Sequence, residues 1–305
     1  MDIRTIWRLL KITITQWRQD QTSLMAAALA YYTVFSLAPL LIIVIAIAGT
    51  VFGEQAAKGE LVAQIQGLIG KDGAELIQTA IENASQLDPS QGPIPTLINI
   101  SLLLSGATVI FGQLQTSLNK IWNVEPKPGN GIIDFLRQRL LSFSMVLIIA
   151  FLLLVSLVIS TLLVIFGNYL RDLIPGFTYL WQALNFLISF GIITLLFAMI
   201  FKILPDAKIA WKDVWMGAAI TALLFEIGKF LLGFYLGHTS FASAYGAAGS
   251  LVIILTWVFY SAQILFLGAE FTQVYVRSYG QEIVPAEYAM RIPQPTCREL
   301  EQKKL

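Results

Sequence analysis

Long apolar stretches without charged side chains alternate with short polar segments along the chain. Four stretches contain no Asp, Glu, Lys or Arg, and they cover residues 21–53, 89–119, 140–170 and 173–201. A helix needs about 20 mostly apolar residues to cross the hydrocarbon core of a bilayer. The pattern predicts transmembrane helices at residues 30–52, 96–118, 140–166, 181–203, 214–236 and 247–274.

Helices are the secondary structure expected for these segments. Backbone N–H and C=O groups inside a bilayer meet no water, so a spanning segment must satisfy them internally. Strands of a barrel would show segments of about ten residues with alternating polarity, and the pattern here is different. The predicted fold class is all-α: a polytopic membrane protein with six transmembrane helices.

Three regions organise the predicted protein. Residues 1–24 form an amphipathic interfacial helix on the cytoplasmic side, residues 25–276 form the six-helix transmembrane domain, and residues 277–305 form a flexible cytoplasmic tail. The first helix carries an apolar stripe at helical spacing, flanked by cations that suit anionic lipid headgroups: Ile3, Ile6, Trp7, Leu10, Ile14 and Trp17, beside Arg4, Arg8, Lys11 and Arg18. The alternative is that this stripe packs on the bundle.

The outer loop, residues 53–95, is too long for a simple connection. Two apolar faces at helical spacing predict two short amphipathic helices there, separated at Lys71, Asp72 and Gly73. The acidic residues of this loop are best explained as solvated positions on the helix surface.

The composition agrees with a membrane protein and excludes several other classes. Hydrophobic residues make up 56% of the chain and charged residues 13%, against about 25% charged residues in soluble domains. The single cysteine, Cys297, excludes a disulfide framework. A net charge of +1 without a basic patch gives no indication of nucleic acid binding. No signal peptide is expected, because the first twenty residues lack an apolar core with a small-residue cleavage site.

The basic residues set the expected orientation. Of the 20 Lys and Arg residues, 16 fall on the side of the N-terminus, three fall on the other side, and Lys229 lies within a span. Because Lys and Arg are enriched in cytoplasmic loops, we expect both termini in the cytoplasm and an even number of spans.

Two charged residues within the fifth predicted span are the first candidates for a functional site. Glu226 and Lys229 are three residues apart and therefore share a helix face. Charges at this depth are costly unless they are paired or hydrated, and they often mark a transport pathway. The alternative is a structural ion pair that fixes helix register.

Polar residues on two other spans are further candidates. Tyr260, Gln263 and Glu270 share one face of the sixth span, and we expect Gln263 and Tyr260 to line a cavity with the ion pair. Glu270 lies nearer the cytoplasmic end, where contact with headgroups or a lysine is the simpler explanation. Tyr32 and Ser36 of the first span complete the predicted cavity, although helix packing also explains them.

Known catalytic motifs are missing from the sequence. The one histidine, His238, cannot build a conventional zinc site, and no HExxH, Walker A or GxSxG motif occurs. Asp206 and Asp213 flank a short loop with two lysines, which suggests a solvated, charge-balanced loop. We therefore predict no enzyme activity, no cofactor and no metal.

Several blocks of residues occur in a specific order. They are AALAYYTVFSLAPL at 27–40, LNKIW at 118–122, LPD at 204–206, WKDV at 211–214, YGAAGS at 245–250, LTWVFYSAQ at 255–263 and GAEF at 268–271. In these blocks the chain resembles the YihY/BrkB family of bacterial inner-membrane proteins. The resemblance implies six helices and an envelope location. Some members carry a ribonuclease label, which the missing metal ligands do not support.

Two functions remain open from the sequence. The first is a transporter or exporter of a small solute, a lipid or an envelope component. The second is an envelope scaffold or regulatory protein that transports nothing and binds partners through its outer helices and its first helix. The expected partners are the lipid bilayer and an unknown solute or lipid, with no nucleic acid; an oligomer is compatible with either function.

Overall fold

The computed structural model describes residues 3–85, 93–127, 140, 144, 177–238, 249–279 and 283–292. The helices that it defines are α1 (Ile3–Gln19), α2 (Thr22–Phe52), α3 (Glu54–Ser85), α4 (Pro93–Trp122), α5 (Phe177–Ile203), α6 (Trp211–His238) and α7 (Gly249–Tyr279). The strands are β1 (Val124–Pro126), β2 (Ala207–Lys208), β3 (Val284–Pro285) and β4 (Ala289–Arg291). The protein is therefore mostly helical, as the apolar pattern predicts.

Four of the helices are long and apolar enough to cross a bilayer. These candidate spans are Thr22–Thr50, Phe186–Ile203, Trp211–Leu232 and Gly249–Tyr279, and they match the first, fourth, fifth and sixth predicted spans. The second predicted span, residues 96–118, lies inside α4. The third, residues 140–166, falls outside the described residues except at positions 140 and 144. The number six accordingly stays a prediction.

Helix α7 occupies the centre of the bundle and contacts α1, α2, α3, α4 and α6. The main core cluster surrounds its second half, and large side chains such as Trp122, Phe201 and Phe266 are almost fully buried there. This cluster lies at the end of the bundle where α4, α5 and α7 end and α6 begins. We call it the strand end, because the β-strands lie there.

Helices α6 and α7 run antiparallel and approach closely at small residues. A Cβ atom at Gly217 would overlap the Thr272 side chain, and one at Gly268 would overlap Thr221. Each threonine hydroxyl donates to a carbonyl of its own helix, Thr221 to Gly217 at 2.7 Å and Thr272 to Gly268 at 2.6 Å. Small residues at helix crossings permit such backbone contact in membranes.

Helix α3 packs across α2 and α7. Gly70 interrupts it with φ 82° and ψ 177°, a conformation that glycine adopts without steric cost. The predicted break at residues 71–73 thus lies at the preceding residue. The apolar side of α3 forms a second core cluster with α2 and α7, which includes Leu41, Ile69, Ile81 and Ile254.

The segment after α7 carries β3 and β4. These strands pair with β2, between α5 and α6, and with β1, which follows α4. β1 pairs with β4, Val124 lying opposite Arg291, and β2 pairs with β3, Ala207 lying opposite Pro285. The prediction of a flexible tail is therefore wrong for residues 283–292. Periodicity gives little indication of strands of two or three residues, since their pairing depends on distant parts of the chain.

Helix α1 packs on α7 through a face that differs from the predicted apolar stripe. Leu9 and Thr13 are buried, and Leu9 contacts Phe271 and Val274 of α7. Trp7 is 72% exposed within the protein. Trp7, Leu10 and Ile14 of the predicted stripe are exposed and therefore free to face lipid, because a different face of the helix contacts the bundle.

Candidate functional site

Glu226 and Lys229 form an ion pair in α6. Lys229 Nζ lies 2.7 Å from Glu226 Oε2, and the two side chains are 35% and 14% exposed, respectively. Glu226 Oε1 is buried and has no hydrogen-bond partner among the described residues. The pair neutralises the net charge of this segment but leaves one carboxylate oxygen unsatisfied.

Tyr260 of α7 packs against α6 at Gly228, in the same helical turn as the ion pair. A Cβ atom at Gly228 would lie 2.6 Å from Tyr260 Cε1, so the tyrosine ring fills the space that Gly228 leaves. Glu226, two residues earlier, lies roughly 200° around the helix axis at about 100° per residue. It therefore points away from the side of α6 that contacts α7. Tyr260 and the Glu226 carboxylate lie on different sides of α6.

Ser36 and Tyr32 of α2 lie in different surroundings. Ser36 is 1% exposed, and its hydroxyl oxygen has no partner within the described part of the chain. Tyr32 is 37% exposed and contacts the Tyr31 ring edge-on, with ring centroids 5.6 Å apart. Ser36 thus belongs to the interior of the bundle, whereas Tyr32 lies at its surface.

Gln263, Glu270 and Gln273 form a polar face along α7. Their spacing of seven and three residues places them on one side of the helix. The side-chain oxygens of Gln263 and Gln273 are buried without a hydrogen-bond partner among the described residues. Sequence periodicity predicted that Gln263 and Glu270 share this side of the helix. Gln273 extends the polar face toward the strand end.

Glu270 is fully buried, so its side chain does not reach lipid headgroups. Neither of its carboxyl oxygens meets a hydrogen-bond donor in the described residues. The side chain that it faces is another carboxyl, Asp20, from the connection between α1 and α2. A carboxylate accepts hydrogen bonds and donates none, so Asp20 supplies a donor to Glu270 only when one of the two acids carries a proton.

Two cations surround this carboxyl pair. Lys120 Nζ at the end of α4 donates a 2.6 Å hydrogen bond to the Asp20 carbonyl oxygen, and Arg277 of α7 lies close enough to influence both acids. Burial raises the pKa of Asp20, and the favourable interactions with Glu270, Lys120 and Arg277 offset part of that rise. We call Asp20, Glu270, Lys120 and Arg277 the carboxyl cluster.

Sequence reasoning did not predict Asp20 as part of a site. Asp20 follows an amphipathic helix and precedes a span, where an acidic residue normally contacts water. Its partial burial arises from a turn that begins the second helix, with Gln21 at φ 56° and the Asp20 N–H bonded to the Gln16 carbonyl oxygen at 2.8 Å. Asp20 and Glu270 come together only because this turn packs against α7, which the sequence pattern does not show.

Asp206 is also buried, contrary to the prediction of a solvated loop. Its two carboxylate oxygens accept hydrogen bonds from Gln115 Nε2 at 3.1 Å and Asn119 Nδ2 at 2.8 Å. Its backbone N–H donates to Asn119 Oδ1 at 2.8 Å, and its carbonyl oxygen accepts from the Ala286 N–H at 2.9 Å. Asp206 thus links α4, the connection between α5 and α6, and the segment after α7, which indicates a structural role.

Similarity to known proteins identifies the family of the chain. The sequence model of the family described as Virulence factor BrkB matches residues 13–293. The chain belongs to the BrkB family. This BrkB protein is 24% identical over 281 residues to a UPF0761 membrane protein of Acinetobacter baylyi, and the match covers 92% of the chain and 65% of the relative.

Two further relatives of the BrkB protein carry the same name. The UPF0761 membrane protein of Pseudoalteromonas translucida is 27% identical over 258 residues, covering 83% of the chain and 81% of the relative. The one from Verminephrobacter eiseniae is 26% identical over 274 residues, covering 87% and 62%. The chain thus spans less than two thirds of the length of some relatives. No solved structure matches it.

The acidic residues of the BrkB protein do not gather into a metal site in the part that the structure describes. No group of three or more His, Cys, Asp or Glu residues is placed to hold an ion there. The described residues provide a pair of carboxyls, of which Glu270 is buried and Asp20 half-buried, a polar face on the central helix and an ion pair in a neighbouring helix.

Proposed function

We propose that this BrkB protein is a transporter that moves a small solute or an envelope component across the bacterial plasma membrane. The observation that carries the proposal is the burial of Glu270 in the central helix with both carboxyl oxygens unpartnered. A helix used only for packing would place an apolar residue at this position.

The unpartnered groups around the centre of the bundle support a hydrated path. Ser36 Oγ, Gln263 Oε1, Glu270 and Gln273 Oε1 are buried without partners among the described residues. Each such group costs several kcal/mol in a dry membrane interior, so water or a polar solute is the expected partner. Intramembrane ionisable and amide side chains commonly line the path of a substrate.

The Glu226–Lys229 ion pair belongs to the proposal as a second polar position. It lies on a side of α6 that faces away from α7, so it marks a different part of the path from the face with Gln263. One cavity around all six predicted residues is not part of this proposal, because Tyr32 lies at the surface and the Glu226 carboxylate lies on a different side of α6 from Tyr260.

The orientation proposed for the transporter places the strand end in the cytoplasm. The distribution of Lys and Arg residues supports this choice. α1 then lies along the cytoplasmic surface, with Trp7 toward lipid and its cations toward headgroups.

Cysteine labelling tests whether the path is hydrated. In a Cys297→Ser background, Ser36→Cys and Gln263→Cys probe the proposed path, while Leu223→Cys and Phe230→Cys serve as controls because both side chains are exposed apolar positions of α6. A membrane-impermeant maleimide should label the first two variants in intact membranes and leave the two controls unlabelled. If positions 36 and 263 stay as unreactive as the controls, the interior is dry.

Solute flux tests the activity itself. Liposomes that contain the purified protein are loaded with one unlabelled solute at a time, drawn from a panel of amino acids, organic acids and sugars. Counterflow of the same labelled solute is then measured for the original chain and for Glu270→Gln. Counterflow that the variant loses supports transport. Equal rates in protein-free liposomes and proteoliposomes for every class, together with unlabelled path cysteines, would leave the scaffold function as the better explanation.

A further inference from the structure

Asp20 and Glu270 come from parts of the chain that are 250 positions apart and meet at a joint of three elements. Asp20 belongs to the connection between α1 and α2, Glu270 to α7, and Lys120, which bonds to the Asp20 carbonyl oxygen, to α4. A ligand held between the two acids would therefore affect how these three elements sit together.

The surroundings of Glu270 show that the carboxyl lacks a donor. Neither of its oxygens has a hydrogen-bond partner, although its side chain is fully buried. A second side chain also lacks a donor. Gln273, one turn further along the same side of α7, is 1% exposed, and its side-chain carbonyl oxygen has no partner among the described residues. Buried acceptors without donors indicate a missing proton, water or ion.

A proton fits this space better than a metal ion. A hard cation such as Ca²⁺ needs about six to eight oxygen ligands, and the described residues contain no group of three acids that would supply them. Lys120 and Arg277 already place positive charge beside the pair, and Arg291 of β4 acts on Arg277. These charges oppose a proton and a metal ion alike, but a proton needs no set of ligands, adds one donor and takes up almost no volume.

We infer that Asp20 and Glu270 share one exchangeable proton, and that this pair is the proton-binding site of the protein. With the proton present, one carboxyl donates to the other, so each carboxyl takes part in one hydrogen bond. The inference rests on the proposed transport function only in assigning the proton as the coupling ion; the binding of the proton stands on the geometry.

Loss of the proton has a mechanical consequence at the joint. Two adjacent carboxylates repel each other, and their repulsion acts between the α1–α2 connection and α7. Lys120 still holds the Asp20 carbonyl oxygen, so the connection moves together with the end of α4. Proton release thereby weakens the contact of α7 with α1, α2 and α4 at the strand end.

Infrared spectroscopy of the purified full chain in lipid nanodiscs tests the proton directly. Near neutral pH the original protein should show the carbonyl stretch of a protonated carboxylic acid, and this band should shift in D2O because the proton exchanges. Glu270→Gln and Asp20→Asn should each remove the band. Glu82→Gln is the control, since Glu82 is an exposed acid of α3 that pairs with Lys58 at 2.8 Å, and it should leave the band unchanged.

The original protein alone decides the outcome if the variants fold poorly. Absence of a carboxylic acid band in the unmodified chain near neutral pH overturns the inference, as does a band that survives in both Glu270→Gln and Asp20→Asn. The spectrum needs neither substrate nor flux. A band that behaves as expected in a protein with a dry interior and no counterflow would contradict the transport function while keeping the proton site.

Discussion

Asn119 and Asp206, which are 87 positions apart, exchange two hydrogen bonds of 2.8 Å. The asparagine amide donates to the aspartate carboxylate, and the asparagine oxygen accepts from the aspartate backbone N–H. Because both residues are buried, neither can replace these bonds with water. The pair connects the end of α4 to the connection between α5 and α6.

Replacing Asn119 tests the strength of this connection. Asn119→Ala leaves a buried carboxylate oxygen and a backbone N–H without partners, and we expect a loss of about 1–3 kcal/mol in the free energy of unfolding. Denaturant titration of the detergent-solubilised protein, followed by tryptophan fluorescence, measures the loss. Thr116→Ala is the control, because Thr116 is exposed on α4 and bonds only to its own helix; equal effects of the two variants would contradict a special role for Asn119.

Gly217 is expected to be intolerant of even a methyl group. Gly217→Ala forces a Cβ atom into Thr272, and we expect destabilisation of about 1–3 kcal/mol by overpacking. Gly191→Ala on α5 is the matched control, since nothing lies within 4 Å of the position that its Cβ would take. Thermal stability in detergent compares the two variants. Adding Thr272→Ala should recover part of the loss at Gly217, and a double variant no better than the single one would exclude this contact as the cause.

The Glu226–Lys229 pair should depend on charge balance more than on the identity of each position. Glu226→Gln leaves Lys229 unpaired within a span, at a cost on the order of 2–3 kcal/mol for the exposed charge. The yield of folded protein and its melting temperature should both fall. Exchanging the two residues, Glu226→Lys with Lys229→Glu, should restore most of the loss. If the exchanged protein folds well but transports nothing, the pair acts in the path and not merely in helix register.

The stability of the protein should decline as pH rises through the titration of Asp20. Burial raises the pKa of this acid above its ordinary value of 3.8. A raised pKa means that the folded state favours the protonated form, so this contribution is complete below the ordinary value and is lost as pH rises through the folded-state pKa. Asp20→Asn cannot ionise and should show a flatter dependence of melting temperature on pH. An unchanged slope would show that Asp20 does not titrate in the folded protein over this range.

Trp7 is expected to insert into lipid, because it is 72% exposed while Leu9 and Thr13 make the contact with α7. In the Cys297→Ser background, a fluorescent dye on Trp7→Cys should be quenched by lipids with a quencher on the acyl chain. The same dye on Arg8→Cys, an exposed basic position about 100° around the helix axis from Trp7, should be quenched less. Equal quenching at positions 7 and 8 would contradict the proposed orientation of the helix.

The sequence predicts the spanning helices well because the underlying signal is local. Leu, Ile, Val and Phe side chains must face lipid or other helices along about twenty residues, and this requirement appears directly as α2, α5, α6 and α7. The side of α7 that carries Gln263 and Glu270 follows equally from helical spacing. These features need no knowledge of which helices are neighbours.

The carboxyl cluster could not be predicted in this way, since its members are brought together by packing. Asp20 and Asp206 both look like ordinary loop residues. The partial burial of Asp20 depends on α7, and the full burial of Asp206 depends on α4. Isolated strands of two or three residues, such as β3, likewise have no detectable period. Distant contacts decide these features, and a single sequence gives no direct sign of such contacts.

The ten residues from 283 to 292 pair with both β1 and β2, and this arrangement restricts how the bundle can deform. Helix α4 leads into β1, while β2 lies between α5 and α6, so one short segment ties three helices at the same end. Tilting any one of them pulls on the other two. When the bundle opens, α4, α5 and α6 should therefore separate at the ends opposite the strands and stay together at the strand end.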